Sequence, residues 1–150
     1  MMTARVWPIS HLSWSRFGAS VLIFAVLLFS LQLALGQFTQ HGSKLVGTGA
    51  VGDAQQGTSV ALSGDGNTAI VGGPNDNSSA GAAWIFTQSN GAWSQQGSKL
   101  VGTGAVGNPQ QGISVALSTD GNTAIVGGPN DNSSGGAAWV FSRNARGVWT

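Results

Sequence analysis

Apolar positions in this chain fall into short alternating runs bounded by glycine, asparagine and aspartate. Residues 59–63 (SVALS) alternate Val60 and Leu62 with small residues, and residues 68–73 (TAIVGG) are β-branched and end in glycine. Residues 82–87 (AAWIFT) are almost wholly apolar, and residues 92–101 run from Trp93 to Leu100 and Val101. Such runs, with a period of two and turn residues at each end, predict four strands. Asp65-Gly66-Asn67 predicts a tight hairpin, because Gly and Asn accept the positive φ that such turns require. Ser89-Asn90-Gly91 predicts a second turn, residues 74–81 a polar loop, and residues 102–112 a linker. No window in this region keeps a 3.6-residue apolar period over ten positions, so strands rather than helices are expected.

The same pattern occurs twice. Shifted by 55 residues, 40–86 overlies 95–141 with 40 identities in 47 positions. The differences are His41/Gln96, Asp53/Asn108, Ala54/Pro109, Thr58/Ile113, Gly64/Thr119, Ala80/Gly135 and Ile85/Val140, most of them like for like. A fixed period of this size is the mark of a repeat architecture. Within each repeat Ala82, Trp84 and Phe86 point to one side of a strand and Ala83 and Ile85 to the other, so both faces need cover. A four-stranded sheet buried on both faces and repeated in tandem is the logic of a β-propeller blade. The expected fold is therefore all-β. It has two tandem blades, about 38–92 and 93–148, forming an incomplete ring after an N-terminal apolar helix. Phe38-Thr39, Trp93-Ser94 and Trp149-Thr150 share one phase, so residues 38–46 are expected as a fourth-strand segment and a third copy starts at Trp149. Two blades alone leave long edges and an apolar face, which makes a longer array or a homo-oligomeric ring the expectation.

The segment Gln56-Gly57-Thr58-Ser59-Val60-Ala61-Leu62-Ser63, then Asp65-Gly66-Asn67-Thr68 and Val71-Gly72-Gly73-Pro74, resembles the FG-GAP repeat of integrin-α-type propellers, in its bacterial form. The likeness spans residues 37–150 and recurs in both copies. Gln56 and Gln111 stand where the family has Phe, and Gly73 and Gly128 replace the Ala of Gly-Ala-Pro. Of the calcium loop D-x-D-x-D-G, only Asp65-Gly66 remains. The resemblance implies a propeller that presents loops to a protein or glycan at the cell surface.

Ahead of the repeats, residues 1–16 carry Arg5 and Arg16 and no acid, and residues 19–35 (ASVLIFAVLLFSLQLAL) are apolar. Ala34 and Gly36 set small residues before Gln37. These are the features of a secretory signal peptide over residues 1–36. An uncleaved anchor through residues 19–35 is the alternative, with the remainder outside in either case. The expected location is secreted, periplasmic or cell-surface.

Charge and composition then narrow the function. Of 150 residues, 24 are glycine, 7% are charged and none is cysteine, which removes disulfides and thiol chemistry. Past residue 36, Lys44, Lys99, Arg143 and Arg146 face five aspartates, and the cations do not cluster as a nucleic-acid binder needs. The chain has no glutamate, and His41, opposite Gln96 in the second copy, belongs to no repeated constellation and as a catalytic base would lack a paired nucleophile. Gly47–Gly52 and Gly102–Gly107 match G-x-G-x-x-G but no helix is expected to follow, so the dinucleotide fingerprint fails. Alternating oxygen donors at Asp76, Asn77, Asp131 and Asn132 make those loops candidate calcium ligands. As repeated loop acids, the aspartates also read as turn-formers that cap their own backbone. Trp84, Trp93, Trp139 and Trp149 read as blade packing. The expected function is a non-enzymatic binding or adhesion-type module, with calcium as the one cofactor to consider. The alternatives are a piece of a secreted propeller hydrolase and a truncated product without independent function.

Overall fold

In the computed structural model the described residues are 38–150, and the leader or anchor expected over residues 1–36 lies outside them. From His41 onward the chain builds two antiparallel sheets. The first holds β1 (Ser59–Leu62), β2 (Thr68–Gly73), β3 (Ala82–Ser89) and β4 (Ala92–Gln95), in sequence order. The second holds β5 (Ser114–Leu117), β6 (Thr123–Gly128) and β7 (Ala137–Ser142). Register is the same in both, with Val71 opposite Trp84 and Val126 opposite Trp139. The two sheets do not close into a ring.

Hairpin chemistry sets that register. Between β1 and β2 the Ser63 hydroxyl donates to Asp65 Oδ1 (2.6 Å), and so does the Asn67 N–H (2.9 Å). Ser63 Oγ in turn accepts the Thr68 N–H (3.0 Å). Ser118, Asp120, Asn122 and Thr123 repeat the arrangement. The Ser63 hydroxyl, and after it the Asn67 N–H and side-chain amide, hold the Asp65 carboxyl below the usual carboxylate range; Ser118 and Asn122 do the same for Asp120. A depressed folded-state value means that the stabilisation is fully present above the ordinary unfolded value. It is lost as pH falls through the depressed one. Thermal scans from neutral to acid pH therefore show an acid loss of stability that the double substitution Asp65→Asn, Asp120→Asn reduces. An unchanged acid limb in that variant counts against this account.

Packing follows the alternation. Ala69, Val71, Ala82, Trp84 and Phe86 bury one face of the first sheet beneath Ala54, Leu45 and Trp93. Its other face, Ile70, Ala83 and Ile85, packs against Ala124, Val126 and Phe141 of the second sheet, with Leu100 at the edge. Residues 82–86 are thus buried on both sides. The equivalent β7 alternates half-buried and exposed instead, because nothing among the described residues covers its outer face.

Three expectations need correction. The fourth run was expected over 92–101, yet β4 ends at Gln95, where Gly97 (φ 74°) turns the chain in a bulge. Leu100 then rejoins Ala83 through backbone bonds of 2.7 and 3.0 Å. Residues 38–46 form no strand. The second sheet has three strands, since the Asn144–Gly147 turn lets the chain return to β7 only through the Arg143–Trp149 bridge.

Candidate functional site

The most chemically concentrated region is the glycine-rich segment ahead of each sheet, which is held by one amide, one carboxylate and one indole. Gln56 grips Gly47 with both ends of its amide: Oε1 accepts the Gly47 N–H (2.6 Å) and Nε2 donates to the Gly47 carbonyl (2.8 Å). Gln111 grips Gly102 in the same way (2.6 and 3.0 Å) and is itself buried. Trp84 Nε1 donates to the Thr48 carbonyl (2.8 Å), and Trp139 to Thr103 (2.9 Å). The ring of Trp84 lies so close over Gly47 that any Cβ there would overlap it, and Trp139 sits likewise over Gly102. That contact explains the glycine, and the paired amide explains the glutamine that recurs at 56 and 111.

Asp76 is the buried acid of this region, at 1% exposure. It opens a short turn, Asp76–Ser79, in which Asn77 (φ 49°, ψ 59°) and Ser78 (φ 56°, ψ 45°) take left-handed dihedrals. Its Oδ1 accepts the Val51 N–H (2.7 Å), and its Oδ2 pairs with Lys99 Nζ (2.5 Å). The Asn77 N–H returns a bond to the Val51 carbonyl (2.9 Å). In the second copy Asp131 Oδ1 accepts the Val106 N–H (2.7 Å), and the Asn132 N–H donates to the Val106 carbonyl (3.0 Å).

These placements bear on the four candidate calcium ligands. Asp76 and Asn77 do share a turn, as do Asp131 and Asn132, but each aspartate points inward to the backbone 25 residues before it. At Asp76 a lysine ammonium already holds the second oxygen, the position a cation would need. Among the described residues no three His, Asp or Glu side chains gather to hold a metal. The reading of these acids as caps of their own backbone holds for Asp65 and Asp120. It does not describe Asp76 and Asp131, which brace a distant segment.

Other candidates resolve locally. His41 Nε2 lies 2.9 Å from the Gly91 carbonyl and 3.0 Å from Gln88 Nε2, at an exposed site. The G-x-G-x-x-G strings lie in the segments ahead of the sheets, and strands rather than helices follow them. No helix among the described residues is long and apolar enough to cross a membrane. Lys99 and Gln56 escaped the sequence reading as site residues. The available signal was that Lys44/Lys99 and Gln56/Gln111 recur unchanged in a chain with few charges.

The turn also links the two repeats. Gln110 N–H donates to the Ser79 carbonyl (3.0 Å) and Gln111 N–H to the Ala80 carbonyl (3.1 Å). Asn77 and Ser78 remain exposed at its outer side, as do Asn132 and Ser133. No protein-family profile matches the chain, and no curated protein matches it as a relative.

Proposed function

We propose that the chain is a run of propeller-type blades of the FG-GAP kind, working outside the cytoplasm as a non-catalytic binding module. One observation carries the reading. In both copies the buried carboxylate, together with one amide and one indole, is spent on bracing one backbone segment, while the same exposed Asn-Ser pair is left at the outside of a tightly held turn. Asn77-Ser78 and Asn132-Ser133 thus offer amide and hydroxyl groups at a fixed spacing, the chemistry that protein or glycan surfaces engage through hydrogen bonds. The face-to-face packing of the sheets supports the blade reading. Arg5 and Arg16 before an apolar run, with small residues ahead of Gln37, support export.

Glycine at Asn77 and Asn132 removes the amides while tolerating the left-handed backbone. Fluorescently labelled chain is expected to be retained on intact cells and to lose that retention in the double variant Asn77→Gly, Asn132→Gly. Protease and periodate treatment of the cells separates protein from glycan partners. Retention of the double variant equal to that of the parent chain refutes the assignment of these turns.

A further inference from the structure

Exposed apolar positions on the second sheet have buried counterparts on the first. Ile70 and Ile85 are fully buried, whereas Ile125 and Val140, 55 residues later, are 44% and 64% exposed. What covers the first pair is the facing side of the second sheet, Ala124 and Val126 flanked by Val115 and Leu117. On the first sheet the counterparts of Ala124 and Val126 are Ala69 and Val71, buried in their own cluster, while Val60 and Leu62, the counterparts of the flanking pair, stand 68% and 61% exposed. The chain therefore displays, at its two ends, both halves of an interface it already makes once inside itself.

The strand edges repeat this relation. On the first sheet Leu100 exchanges two backbone bonds with Ala83, and the Gln96 N–H donates to the Ile85 carbonyl (2.8 Å). The identical register of β7 turns the backbone edge of Ala138 and Val140 away from β6, beside a groove lined by Trp139, Phe141 and Trp149. Residues 41–46 are the counterpart of the bridging segment 96–101. They already hold its setting, since His41 meets Gln88 as Gln96 meets Arg143, and Leu45 packs on the Trp84 cluster. Charge agrees as well. Lys44 corresponds to Lys99 and Asp131 to Asp76, the pair joined in the first copy.

The geometry points to a second copy of this chain as the occupant of that groove and face. Copies join head to tail: residues 41–46 of one lie along β7 of the next, Lys44 meets Asp131, and Val60 and Leu62 cover Ile125 and Val140. Strand addition to an exposed edge is an established mode of association, and here the added segment is held in place beforehand. The largest change in side-chain size between the copies, Gly64 against Thr119, fits. Gly64 donates its N–H to the Thr119 carbonyl (2.9 Å), and a Cβ on Gly64 would come within 2.5 Å of the Thr119 methyl group. Between copies the pair recurs with roles exchanged, so threonine still faces glycine. Such a contact is heterologous, closing into a ring or running on as a filament. A ring of about four to eight blades would need about two to four chains. This inference stands on the packing, edges and charges of the sheets and does not depend on the binding reading.

Sedimentation velocity on the purified chain tests it, with a species larger than the monomer expected to grow with concentration. Val140→Glu and Val60→Glu change exposed side chains on opposite faces. Each variant alone is expected to be monomeric with an unchanged circular dichroism spectrum. Their equimolar mixture is expected to form a heterodimer and nothing larger, because each chain retains one intact face. A parent chain that stays monomeric at every concentration overturns the proposal. So does a Val140→Glu chain that still self-associates, since that would be a face-to-face contact between like surfaces.

Discussion

In the monomeric Val140→Glu background Trp84→Ala lowers the unfolding free energy of the chain by about 3–5 kcal/mol, and Trp139→Ala lowers it by distinctly less. Both indoles sit over a glycine, donate to a carbonyl one residue further on and occupy the same register. Their burial separates them. Trp84 is fully enclosed, with Leu45 and Ala54 above it and Trp93 of β4 beside it. Trp139 is half-exposed and opens onto the groove along β7, where the second sheet has only the Trp149 bridge in place of a fourth strand. Truncation at Trp84 thus removes a large apolar area, leaves a sealed cavity and orphans the Thr48 carbonyl. At Trp139 water enters the space and the cavity cost falls away. Urea unfolding read at constant m-value measures both losses. Equal losses would mean that the flank of β7 is covered in solution. The head-to-tail contact predicts that convergence for the assembled chain and a clear gap for the monomeric Val140→Glu background.

The period of two and the 55-residue repeat carried the strand reading close to the observed elements, because both report which side of a ribbon faces apolar neighbours. Residues 68–73 match β2 at both ends, and 82–87 falls two residues short of the end of β3. Asp65-Gly66-Asn67 was legible for a different reason: its bonds span two to five residues, so the partners sit inside the motif. The bracing set was not legible on such grounds. Gln56 reaches back nine residues, Asp76 reaches back 25 and Trp84 reaches back 36, all to backbone groups that carry no side-chain signature. An aspartate among Asn and Ser reads as a loop acid in that case, and a cation site follows from composition alone. What composition omits is direction, since the left-handed turn at Asn77 and Ser78 aims Asp76 inward. The end of β4 was lost similarly. A bulge centred on Gly97 interrupts the ladder without interrupting the apolar pattern that leads to Leu100.

Lys99→Met is expected to cost about 3–5 kcal/mol, the range for breaking a buried ion pair from one side. Asp76 is 1% exposed and can accept a proton donor only from Val51 once the ammonium is gone, so an uncompensated charge stays in the interior. The Lys99 side chain is 20% exposed, so the reverse change, Asp76→Asn, is milder: the ammonium reaches water and the amide oxygen still takes the Val51 N–H. Combining Asp76→Asn with Lys99→Met removes both charges and keeps that backbone bond. The double variant is therefore more stable than Lys99→Met alone, giving a coupling energy above about 0.5 kcal/mol in a double-mutant cycle. Additive losses would show that the pair contributes nothing beyond packing. Lys44→Met supplies the contrast, because Lys44 is exposed and meets no carboxylate among the described residues. Its unfolding free energy stays within about 0.5 kcal/mol of the parent. Its effect falls on self-association instead, where the same ammonium meets Asp131 of the neighbouring copy. One charge pair thus reports on fold or on assembly according to which of two equivalent lysines is changed.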